Sequence, residues 1–142
     1  MSMKNTPEEY PPEHPWPVTI VLLFVLSITA WQGLRAWTAF ANWELLSRFR
    51  ANPTYTFATG IIWFVIGVVL IVILWRGSRI APLYGLAASI LYALWYWVDR
   101  LAIQTSPTTN IPFSIVVSII GLVIFNLNLF WPSSREFFKE IQ

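Results

Sequence analysis

"YTFATGIIWFVIGVVLIVILW", residues 55–75, runs from Tyr55 to Trp75 without one charged side chain. Its length matches the ~20 residues with which a helix crosses a hydrocarbon layer ~30 Å thick. It is apolar on every side, and a backbone in hydrocarbon must satisfy its own amides, which an isolated segment does only as a helix. The stretch therefore predicts a transmembrane α-helix, and the rest of the chain is read around it.

On its C-terminal side, "RGSR" (76–79) leaves room only for a tight turn. The next apolar segment, from about Ile80 or Pro82 to Leu101, should return as an antiparallel neighbour. On the N-terminal side an apolar segment starts beside Trp16 and runs from about Pro17 to Phe40. Its purely apolar part, "VTIVLLFVLSITAW", is too short to span alone, so the helix must continue through Gln32 and Arg35. "ANWELLSRFRANP" (41–53) predicts a helical extension or a surface-lying piece that ends before Pro53. "AIQTSPTTNIP" (102–112) reads as a polar turn, with Pro112 at the start of a fourth span that ends near Trp131. In the remaining "PSSREFFKEIQ", Ser133 or Ser134 is suited to cap a short amphipathic helix with Glu136 in its first turn.

The expected fold is thus all-α: a polytopic membrane protein, an antiparallel four-helix transmembrane bundle with short loops. A Pro-rich polar tail covers 1–16. The membrane domain covers 17–131, with spans near 17–40, 55–75, 80–101 and 112–131, and an amphipathic tail covers 132–142. Composition agrees, because 56% of residues are hydrophobic and 11% charged, about half the charge of a soluble domain. The start lacks a basic leader and a small-residue cleavage site, so the first span is expected to be retained.

Several chemistries are excluded. The net charge of +2 comes from scattered basic residues, with no stripe to neutralise phosphates, so no nucleic-acid partner is expected. The chain has no Cys, which removes disulfides, thiolate metal sites and cysteine nucleophiles. Its single His, His14, lies in the Pro-rich tail and reads as a solvated residue, so neither a Ser-His-Asp set nor axial haem ligation is available at depth. The expectation is a non-enzyme without metal or cofactor.

Interfacial aromatics fix a register. Trp16, Trp75 and Trp131 fall at span ends on one side, as an aromatic belt requires. Lys4, Arg76, Arg79, Arg135 and Lys139 share that side; Arg48 and Arg50 lie opposite, with Arg35 and Arg100 flanking. The positive-inside rule then favours both termini in the cytoplasm of a multi-pass protein of the cell (plasma or inner) membrane.

In "LYALWYWVDRLAIQ" (91–104) an apolar run meets Asp99 and Arg100. Counted from Pro17 and Pro82 at ~1.5 Å per residue, Arg35 and Asp99 both lie ~26 Å from the starting interface. Two readings stay open. Asp99 is held by Arg35 or by its neighbour Arg100, with Trp31, Trp37, Trp95 and Trp97 forming the second belt; or the charges mark a helix end in wet headgroups.

Small residues recur every fourth position at Ala81, Gly85, Ser89 and Ala93. Gly60 and Gly67 in the second span, and Ser114, Ser118 and Gly121 in the fourth, offer similar faces. These read first as helix-packing faces and second as ligand contacts. Aromatics make up 17% of the chain, more than two belts need. The surplus (Phe24, Trp63, Phe64, Tyr84, Tyr92, Phe125) suits packing or lipid contact, and also flat hydrophobic ligands.

Two blocks, "YALWYWVDRL" (92–101) and "WRGSRIAP" (75–82), resemble small four-span bacterial membrane proteins, a likeness that would extend over most of the chain and brings no function or site residue with it. In size the chain is also similar to small four-span drug exporters, but those carry a glutamate in the first span, where this chain has only Arg35. The functional expectation is a non-catalytic accessory, structural or assembly subunit that packs against other membrane proteins or against itself as a homo-oligomer. A binding protein for a quinone, lipid or carotenoid, lined by Trp63, Tyr92, Trp95 and their neighbours, is the alternative. A small transporter is third.

Overall fold

A computed structural model describes residues 14–48, 52–103 and 110–140. Most of the Pro-rich tail, Arg50 and the polar turn at 104–109 lie outside them. Every element among the described residues is helical: α1 (Trp16–Ala41), α2 (Trp43–Arg48), α3 (Pro53–Trp75), α4 (Ala81–Val98), α5 (Ile111–Leu129) and α6 (Pro132–Glu140). A π-helical turn (Asp99–Ile103) extends α4. Four helices are long and apolar enough to cross a membrane, counting α4 with its π turn as one.

Proline starts each of them, at Pro17, Pro53, Pro82 and Pro112 in the first turn, where a missing N–H costs nothing. Asn52 adds a side-chain cap on the amide of Tyr55. The turn between α3 and α4 depends on Gly77, whose φ of 62° is left-handed. The Gly77 amide donates to Leu74 O and the Ser78 amide to Ile73 O, the pair of bonds that closes a helix in a Schellman motif. No such turn joins α5 to α6. There Pro132 opens the helix, and Ser134 Oγ, fully buried, donates 2.8 Å back to Asn128 O. The expected serine cap is therefore absent at Ser134, whose hydroxyl ties the two helices together.

The bundle is a ring in which α1 neighbours α3, α3 neighbours α4, α4 neighbours α5 and α5 neighbours α1. The α1–α3 seam is the tightest. A Cβ added at Gly60 would lie 3.0 Å from Ala36, one at Gly33 would lie 3.0 Å from the Phe64 ring, and one at Gly67 would collide with Thr29 Oγ1. Gly85 lets Leu129 of α5 approach α4 in the same way. Close backbone approach of this kind drives helix association where lipid removes the hydrophobic incentive.

The densest packing lies at one end. Val18, Val21, Leu70, Leu74, Ala81, Phe125 and Leu129 form the core there, and α6 closes it with Phe137 and Phe138 while Arg135, Glu136 and Lys139 face outward. His14 belongs to this end. Its ring packs 4.9 Å from Trp75 and 5.1 Å from Phe137, so it is half-buried rather than a solvated tail residue, because α6 folds beneath the start of α1. Trp16 and Trp131 meet beside it, 6.1 Å apart. Large apolar side chains cover the outside, with Leu83 71% and Phe113 70% exposed, as hydrocarbon contact permits.

Candidate functional site: a central cavity and its polar rim

Away from the dense end α1 and α3 stay in close contact, and a cavity opens between them and α4 and α5. Gln32 and Arg35 of α1 stand one turn apart and look toward Tyr92, Trp95 and Asp99, which share a face of α4 at helical spacing. Arg35 Nη2 lies 3.6 Å from Asp99 Oδ1, and its guanidinium stacks 5.1 Å from the Trp95 ring centre. Asp99 is only 4% exposed, although it sits where the α-helix gives way to the π turn. Tyr55 of α3 completes the group, accepting a 3.2 Å bond from Trp95 Nε1 and hydrogen-bonding to the Asp99 carboxylate. Three helices thus meet at one carboxylate. Arg100, the other partner considered for Asp99, donates 3.0 Å to the Tyr96 hydroxyl and packs over that ring.

Gln32, 1% exposed, donates from Nε2 to the Tyr92 hydroxyl at 2.9 Å. Trp63 touches Tyr92 edge-on at 5.0 Å and Trp95 at 5.5 Å. Trp95 therefore belongs to an inward aromatic cluster and not to an outer belt, whereas Trp31 and Trp37 are both 64% exposed. A buried side-chain amide at position 32 and the tyrosine at position 55 were not singled out from the sequence. Gln32 is the legible one of the two, a polar residue amid an apolar run.

This rim borders a cavity of about 420 Å³ to which α1, α3, α4 and α5 all contribute. Phe24, Trp63, Tyr92, Tyr96 and Phe125 supply aromatic walls, and Thr29, Gly67, Ser114, Ser118 and Gly121 supply small or hydroxyl-bearing ones. The volume falls within the ~300–1,000 Å³ of small-molecule sites.

The small-residue faces divide accordingly. Ala81 is buried in the dense core, Gly60 and Gly67 pack on α1, and Gly85 packs on α5. Ser89, Ala93, Ser114, Ser118 and Gly121 border the cavity, as does Gly67. Of the deeper aromatics, Phe24, Trp63, Tyr92 and Phe125 line it; Tyr84 packs against the core, and Phe64 covers Gly33. Among the described residues no group of three or more His, Cys, Asp or Glu is placed to hold a metal ion. Comparison with protein-family models, with curated proteins and with solved structures gives no match.

Proposed function

We propose that this is a non-catalytic, multi-pass membrane protein that binds one hydrophobic molecule between its four spans. The observation that carries the reading is the cavity of about 420 Å³, apolar in its walls and built from all four helices. A tightly packed bundle would have closed such a space, since an empty one forfeits dispersion contacts along its lining. An accessory subunit would need close-approach faces turned toward a partner. Gly60, Gly67 and Gly85 instead pack against α1 and α5 of the same chain, which favours the binding reading over that expectation. The belt of Trp16, Trp75 and Trp131 and the nearby basic residues support a cell membrane location with both termini cytoplasmic.

The test is extraction. Protein purified in mild detergent is extracted with organic solvent, and the extract is weighed by mass spectrometry against protein content. A single hydrophobic species near equimolar amount is expected, with less retained by an Ala93→Leu variant. Equal trace amounts in both proteins would dismiss the reading.

A further inference from the structure

The hydroxyls around the cavity separate into two groups by where their protons go. Thr29 returns its proton to the Val25 carbonyl one turn earlier at 2.7 Å, and Ser89 gives its own to the Leu86 carbonyl at 2.9 Å. This is the ordinary way a helix satisfies a hydroxyl in hydrocarbon. Four others do not. Tyr92 O accepts from Gln32 Nε2 at 2.9 Å and Tyr96 O accepts from Arg100 Nη1 at 3.0 Å. An N–H on each oxygen occupies a lone pair and leaves the O–H proton as the group still to be placed. Ser114 and Ser118, one turn apart on α5, make no side-chain hydrogen bond to any described residue, and both border the cavity with the two tyrosines.

The contacts of Gly85 with Leu129 and of Ser89 with Asn126 set the antiparallel register of α4 and α5, which brings Tyr96 level with Ser118. Tyr96, Ser114 and Ser118 thus collect toward one end of the cavity, and Tyr92 stands one turn further along, level with Leu122. Toward the other end the walls are Phe24, Leu70 and Phe125. From Phe113 to Phe125 the slot follows α5 for ~18 Å at ~1.5 Å per residue.

From this arrangement we propose that the ligand is an alkyl-chain carbonyl compound, an acyl ester or a quinone, whose carbonyl oxygen accepts from Tyr96, Ser114 or Ser118 while its chain passes Tyr92 toward Phe125. The proposal rests on the binding reading above and narrows it. A pure hydrocarbon gives these donors nothing to bond, and buried donors left unmade are costly.

Three probes of similar length separate the outcomes: decylbenzoquinone, methyl laurate and dodecylbenzene. Each is titrated against the full-length protein in detergent micelles, and the amount retained per protein is measured after size exclusion. The quinone or the ester is expected to bind roughly five-fold or more tightly than the hydrocarbon. Ser118→Ala and Tyr96→Phe should each erode that advantage and leave dodecylbenzene unchanged. Ser118 makes no side-chain bond within the described chain, so its variant reads binding without cost to the fold. Preference for ester over quinone, or the reverse, names the source. Equal retention of all three overturns the carbonyl proposal while the binding reading stands. No retention of any probe overturns both.

Discussion

Asp99 is the residue on which three helices converge, and its surroundings explain how a carboxylate is kept buried in an apolar bundle. Inserting a lone charge near the bilayer centre costs ~3 kcal/mol on translocon scales, and less toward the interface. Here the guanidinium of Arg35 at 3.6 Å and the hydroxyl of Tyr55 share the cost, while the Trp95 face accepts the cation. Removing one member leaves the other buried without its counter-charge, a change worth ~3–5 kcal/mol in buried pairs. Asp99→Asn and Arg35→Gln should therefore each lower the thermal unfolding temperature in detergent by more than the double variant does, so that the double loses less than the sum of the two. Additive losses in that cycle would mean that the two charges are not coupled. Gln32→Leu should be milder, about 1 kcal/mol, because it forfeits one hydrogen bond to Tyr92.

Among the elements, the α1–α3 seam at Gly67 is more sensitive than the α1–α5 contact at Gly121. Gly67→Ala puts a methyl group into Thr29, whose hydroxyl is already committed to Val25 O, and should destabilise by about 1–3 kcal/mol. Gly121→Ala meets only Phe24, at 3.7 Å, and should change little. A reversible denaturation series of both variants checks the contrast. The spans themselves were readable from the chain because Pro and Gly punctuate them, at Pro53, Pro82, Pro112 and Gly77. The depth of Arg35 and Asp99 was countable at a fixed rise per residue. The cavity was not readable. In a soluble helix the polar face reveals the inner one, but here Ile119 toward the outside and Phe125 toward the core are equally apolar, so periodicity carries no sidedness. Tyr55 escaped notice for a related reason, since its partner Asp99 lies at the far end of the next helix.

At the scale of the whole molecule, one end is packed and closed by α6 and the middle is open. Filling the open part should stabilise the protein as it removes function: Ala93→Leu is expected to raise unfolding stability by about 1 kcal/mol while reducing bound ligand. The absence of cysteine makes the membrane topology directly measurable. A membrane-impermeant maleimide should label Ser47→Cys and Glu136→Cys from opposite faces, with Glu136 on the cytoplasmic one. Labelling of both from the same face would break the four-span arrangement.

The order in which a ribosome delivers these helices gives the Arg35–Asp99 contact a developmental side. The guanidinium emerges with the first helix, well before Asp99 is translated, so the hairpin of α1 and α3 is complete while its cation still lacks that counter-charge. Arrival of Asp99 then acts as a latch, drawing α4 against a hairpin already zipped through its glycines. Chains cut short before that aspartate should stay more accessible to quality-control proteases than those extended just past it.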